Sequence, residues 1–172
     1  EECMSFAPVG IRCPEHAAVG MPKGQAKRAV RRVTFQATSS AAPATIALIA
    51  LNVVVYLVTV AQGAGISSPG GSLFEHMWLT GIQVKDGDWW RLASVMFLHG
   101  SILHLLFNML ALYWLGTAVE QMLGTTRFLL VYFAAGLAGS AGALLLTNPL
   151  QVTVGASGAI FGIMGALLVL EY

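Results

Sequence analysis

Apolar positions in this chain gather into long unbroken runs instead of alternating or marking one face of a helix. The first run, Ala44 to Ala61, reads ATIALIALNVVVYLVTVA and lies between Pro43 and the Gly/Ser/Pro-rich stretch QGAGISSPGGS. A helix that crosses a bilayer needs roughly 20 predominantly apolar residues, so this run predicts a first span. The apolar stretch from Leu92 to Val119 is too long for one span and is broken by His99-Gly100-Ser101. Gly interrupts a helix and Ser caps the next one, which predicts a second span from near Ser101 to near Val119. A third is expected from about Arg127 to Leu146, stopped by Asn148-Pro149. The fourth starts near Ser157 and runs to Tyr172, about 24 Å at 1.5 Å per residue. The pattern predicts an all-α polytopic membrane protein.

Composition agrees. Of the 172 residues, 56% are hydrophobic and 10% charged, against about 25% charged in a soluble domain; mean hydropathy is +0.73. The net charge of +1 says little, but its distribution is informative. Lys23, Lys27, Arg28, Arg31 and Arg32 all lie just before the first span. Basic residues stay on the cytoplasmic side, so the N-terminus is expected in the cytoplasm and Ser157 near the outer face. The outer segment 62–100, with "LFEHMWL" and "DWWRL", is expected to lie half sunk in the interface, where Trp is favoured. Three regions result: a Cys/His-rich segment over 1–16, a basic linker over 17–43 and a membrane domain over 44–172. Because the chain opens on Glu1 and stops directly after its last apolar run, it is expected to be part of a longer protein.

Few polar side chains interrupt the spans. His104 and Asn108 are four residues apart and share a helix face, about one layer of the membrane with Ser157. Polar groups at such depth are functional candidates, yet interhelical hydrogen bonding and helix capping would account for each one alone. Acyl transfer needs a serine, a base for its proton and donors aimed at the oxyanion. The start of the fourth helix supplies free N–H groups and a positive dipole end. A channel or transporter subunit would call for charges within the spans, and Glu120 is the one acidic residue there before Glu171.

"HGSILHLLFN" (His99, His104, Asn108), "GASG" around Ser157, "WWR" over Trp89–Arg91 and "LGTAVEQMLG" over Leu115–Gly124 together resemble the rhomboid intramembrane serine proteases. The resemblance runs from the first span to Tyr172. It implies a rhomboid-like bundle with four of six or more spans present and a membrane-embedded first loop. It also implies a bacterial plasma-membrane enzyme that cleaves transmembrane segments of other proteins. Ser157 would be the nucleophile of a Ser–His dyad. His104, Asn108 and the Ser157 N–H would form the oxyanion hole, and Gly155 the turn before the nucleophile. Phe161 would match an aromatic that packs on the catalytic His; His99, Trp90, Arg91 and Glu120 would be supporting residues. The family takes its base from a His on the sixth span, and no His follows His104 here, so these 172 residues alone are expected to be inactive. The alternative is a rhomboid-like protein that binds transmembrane helices without cutting them.

Catalysis of this kind needs no cofactor. Cys3, Cys13 and His16 form an incomplete candidate site for structural zinc, which normally takes four ligands; a disulfide is not expected in the cytoplasm. The basic linker suits anionic lipid head groups. Without a recognition motif, no nucleic-acid partner is expected.

Overall fold

The computed structural model describes residues 5–7, 10–12 and 41–171. The chain divides into two compact units, Glu1–Ser40 and Ala41–Tyr172. In the first, β1 (Ser5–Ala7) pairs antiparallel with β2 (Gly10–Arg12), Ser5 opposite Arg12. Cys3, Cys13, His16 and most of the basic linker lie outside the described residues.

The second unit is a helical membrane bundle. Helix α1 (Pro43–Gln62) starts one residue before the expected span, because proline suits the first turn, where its missing N–H would be unpaired anyway. Its buried stripe is Thr45, Leu48, Asn52, Tyr56 and Thr59, at helical spacing, while Ile46, Leu51, Val54 and Leu57 are exposed. Polar residues inside and apolar ones outside invert the soluble pattern, as lipid requires.

The segment after α1 is not one flat stretch. It folds into α2 (Gly71–Met77), α3 (Gly81–Lys85) and α4 (Arg91–Ser94), the last running into a 3-10 turn at Val95–Phe97. Helix α5 (Ile102–Leu123) spans 22 residues and ends one turn beyond the expected Val119. A π turn at Leu112–Gly116 widens it. There, a Cβ on Gly116 would lie 3.1 Å from the Thr45 side chain, so the glycine lets α1 approach. Gly124, at φ +80°, then turns the chain into α6 (Thr125–Leu146), two residues earlier than Arg127. Helix α7 (Ser157–Glu171) closes the unit.

Helices α6 and α7 pack through small residues. A Cβ on Gly139 would come within 2.8 Å of the Gly158 Cα, and one on Gly162 would overlap Ala135. Such contact exposes little side chain to lipid and brings the helix carrying Ser157 directly against α6. Tyr132, Phe128, Leu112 and Ile163 fill the centre, each fully buried.

Candidate active site

Ser101 opens α5: its hydroxyl accepts the His104 N–H at 3.3 Å. That fixes the helix phase, so His104 and Asn108 line up one turn apart. Asn108 is buried, and its Nδ2 donates to the His104 carbonyl at 2.8 Å. An amide carries two N–H groups, which leaves one for another acceptor.

His99 lies behind His104. The rings meet edge to face with centroids 5.0 Å apart. His99 is fully buried, and among the described residues neither ring nitrogen has a hydrogen-bond partner. Burial first, then the neighbouring His104, lower its pKa from the usual 6.5 to about 4; the Phe97 backbone opposes this weakly, short of hydrogen-bond geometry. The ring is therefore neutral near pH 7.

The turn before Ser157 depends on Gly155, whose φ of +120° is a conformation that residues with a Cβ rarely adopt. It also needs the missing side chain for space. A Cβ there would lie 2.7 Å from His104 Cε1 and 2.8 Å from Nε2. The Gly155 N–H donates to the Val95 carbonyl at 3.1 Å. Ala156 is fully buried, and its carbonyl accepts the Ile160 N–H at 3.1 Å, the first bond of α7.

That bond leaves the N–H groups of Ser157, Gly158 and Ala159 ahead of the helix ladder, at the positive end of its dipole. Ser157 is exposed, and its hydroxyl makes no hydrogen bond among the described residues. A cleft of roughly 160 Å³ lies beside it, lined among others by Val154, Gly155, Met96, Ser140 and Phe161. The structure thus places the His104 ring against Gly155, two residues before Ser157, with Asn108 one turn further along α5 and bonded to the His104 carbonyl. Phe161 joins the cleft wall, 67% exposed, with no ring partner among the described residues.

The other expected residues are structural in their contacts. Arg91 is buried; its Nε donates to Asp88 Oδ2 at 2.8 Å, and its Nη1 to the carbonyls of Glu75 at 2.8 Å and Trp78 at 3.0 Å. Trp90 is half exposed, its ring 5.8 Å from the guanidinium carbon. Glu120 lies at the opposite end from Ser157. It accepts the N–H groups of Ala44 and Thr45 and the hydroxyls of Thr45 and Thr125, so it caps α1 and pins the start of α6. Among the described residues, no three His, Cys, Asp or Glu gather as a metal site would require.

Several contributors escaped the sequence reading. Thr45 and Thr125 had a signal, as polar residues beside apolar runs. Ser140, whose hydroxyl donates to the Leu92 carbonyl at 2.9 Å, had the same one. The pairing of Leu79 with Thr153 had none, since it is made by backbone alone.

Comparison with known proteins gives a concordant result. The family model described as the Rhomboid domain matches residues 86–172. Rhomboid protease GluP of Bacillus subtilis (strain 168) is 52% identical over 85 residues, which cover 49% of this chain and 16% of the relative. RHOMBOID-like protein 5 of Arabidopsis thaliana is 44% identical over 86 residues, 49% of this chain and 28% of the relative. RHOMBOID-like protein 2 of the same plant is 42% identical over 99 residues, 55% of this chain and 30% of the relative. The chain spans less than a third of the length of each of these three.

Proposed function

The chain belongs to the rhomboid family, and from that premise we propose that it carries the nucleophile and oxyanion-binding part of an intramembrane serine endopeptidase. Ser157 Oγ attacks the carbonyl carbon of a peptide bond in a transmembrane segment, and its proton passes to a base. The carbonyl oxygen becomes an oxyanion bound by the Ser157 N–H, the free Asn108 N–H and His104. Collapse expels the amine leaving group, protonated by the same base, and water then releases the acyl chain from Ser157. No cofactor is needed.

One observation carries this reading: the His104 ring lies against Gly155, two residues before an exposed serine at a helix start. A histidine and a buried amide aimed only at holding helices together would not require a positive-φ glycine at the point of contact. The base is a histidine that these 172 residues do not contain. His99 is buried with no hydrogen-bond partner for its ring nitrogens among the described residues, and His76 Nδ1 is engaged with the Ser72 carbonyl at 2.7 Å. The substrate is a lipid-embedded helix reaching the cleft sideways and unwinding there. The basic residues ahead of α1 support a cytoplasmic N-terminus with the site near the outer face, and the likeness to a Bacillus protease supports a bacterial plasma membrane. Lipid head groups are partners of the linker over 17–43; zinc at Cys3, Cys13 and His16 is the remaining proposal for the segment over 1–16.

The test is cleavage of a transmembrane reporter by the complete protein in proteoliposomes. Ser157→Ala is expected to abolish it, and His104→Ala to lower kcat by roughly 10²–10³, the usual cost of one oxyanion donor. A Ser157→Ala protein that cleaves as wild type refutes the reading. One observation favours the second reading, helix binding without cleavage: among the described residues the Ser157 hydroxyl makes no hydrogen bond to a base. A wild-type protein that co-purifies with membrane helices and never cuts them would establish that alternative.

A further inference from the structure

Two polar side chains far from Ser157 in the sequence, Asn52 on α1 and Tyr132 on α6, are fully buried. Asn52 Nδ2 donates to the Leu48 carbonyl at 2.8 Å. A carbonyl only accepts, so this bond fixes which end of the amide is which and leaves Oδ1 as the free acceptor. Among the described residues, neither Asn52 Oδ1 nor the Tyr132 hydroxyl has a hydrogen-bond partner. The two belong together: the Tyr132 hydroxyl faces the Asn52 side chain but stops short of hydrogen-bond geometry.

Their depth makes an unpaired state costly. Glu120 bonds to the first turn of both α1 and α6, so the two helices start at one level. Asn52 is nine residues beyond Pro43 and Tyr132 seven beyond Thr125, which puts them about 14 and 10 Å from that end. The hydrocarbon core of a bilayer is about 30 Å thick, so bulk water reaches neither group, and an amide oxygen or a phenol buried without a partner is expensive. At the same level α5 is wider than a regular helix: its π turn over Leu112–Gly116 packs on α1. Thr117 Oγ1, next to that turn, is another buried oxygen without a partner among the described residues. Unpaired oxygens on three neighbouring helices point to one shared partner.

We propose that Asn52 Oδ1 and the Tyr132 hydroxyl form a binding site for a single internal water molecule, which fastens α1 to α6 at mid-membrane. The water donates one hydrogen to Asn52 Oδ1 and accepts from the Tyr132 hydroxyl. A bridging water is nearly as good a partner as a direct bond, and buried waters of this kind satisfy two to four polar groups. Thr117 is at the level to take the second hydrogen. The site is independent of the protease reading: a chain that grips helices without cutting them holds the same water.

The first test is a crystal structure of the complete wild-type protein at a resolution that shows ordered water. A peak within about 2.7–3.2 Å of both Asn52 Oδ1 and the Tyr132 oxygen supports the proposal. A direct Tyr132–Asn52 hydrogen bond with nothing between them overturns it, as does a pair that touches neither each other nor a water. The second test is a double-mutant cycle on unfolding midpoints of the complete protein in mixed micelles. Asn52→Leu and Tyr132→Phe each leave one end of the bridge unpaired, and each is expected to lower the midpoint by roughly 3 °C or more. The double variant removes both ends together, so its midpoint is expected to lie no lower than that of the weaker single variant. Losses that simply add would show that the two groups share no partner and would overturn the proposal. Should a variant fail to fold, the wild-type structure still decides.

Discussion

Removing the carboxylate of Glu120 is the sharpest test of how this bundle is held together. Oε1 accepts the Ala44 N–H at 3.1 Å and the Thr125 hydroxyl at 2.8 Å; Oε2 accepts the Thr45 N–H and the Thr45 hydroxyl, both at 2.8 Å. Helix α1 has no side-chain cap of its own at Ala42, so Glu120 is its cap from across the bundle. In Glu120→Gln, an NH₂ replaces one oxygen. A threonine hydroxyl can rotate to accept from it, but a backbone N–H cannot. The better orientation puts the NH₂ at the Oε1 position, where the lost N–H bond is the longer. The cost is then one charge-assisted bond, about 1.5–3 kcal/mol. Glu120→Ala loses all four bonds and leaves two N–H groups bare at the start of α1, about 3–5 kcal/mol by analogy with breaking a buried charged pair. The assay is reversible unfolding of the complete protein in mixed micelles, followed by Trp fluorescence and circular dichroism. The reasoning fails if both variants stay within about 0.5 kcal/mol of wild type, the range of ordinary surface changes. It also fails if Gln costs as much as Ala.

Two further outcomes follow from the other end of the bundle. Gly155→Ala places a methyl group into the His104 ring at φ +120°; strain of about 1–3 kcal/mol is expected, with reporter cleavage reduced roughly tenfold or more as His104 is displaced, and wild-type cleavage would contradict it. His99 binds a proton in the unfolded chain near the usual 6.5 and in the folded one only near 4. Between those values the unfolded state holds more protons, so stability falls as pH is lowered through that window and is fully present above it. The loss is on the order of 3 kcal/mol. Unfolding midpoints at pH 7, 5.5 and 4.5 should show this decline, flattened in His99→Phe; equal slopes in the two proteins would refute it.

Much of this architecture was legible because lipid imposes a simple rule on sequence. Three spans and the apolar α7 follow from long apolar runs, and their ends moved by only a few residues. Helix α5 outran its expected end at Val119 because Glu120 is buried as an acceptor instead of marking the water boundary. Arg127 misled in the same way, since α6 begins at Thr125, whose hydroxyl is used by Glu120. The cluster of Ser157, His104 and Asn108 was visible because polar residues in apolar runs are conspicuous. The folding of residues 62–100 into short helices was not visible. Its order comes from Arg91 reaching carbonyls 13 and 16 residues earlier, and carbonyls carry no sequence signature.

The two ends of the bundle are consequently held by different chemistry. At the Glu120 end, side chains satisfy the helix termini, so substitution there is expected to change stability without touching the proposed chemistry. At the Ser157 end, the chain must leave helical geometry to present a hydroxyl ahead of a helix start. Irregular backbone is tolerated at membrane depth only where protein satisfies it, and the turn over 149–155 meets that condition through Leu79, Gly81 and Val95. A bundle of helices alone could not expose Ser157 this way, because the Thr153 and Gly155 N–H groups and the Pro149 and Thr153 carbonyls would lack these partners. The irregular segment after α1 is therefore part of what makes an exposed serine possible here. Its glycine partner, Gly155, completes the fit by giving His104 the space that a side chain would fill.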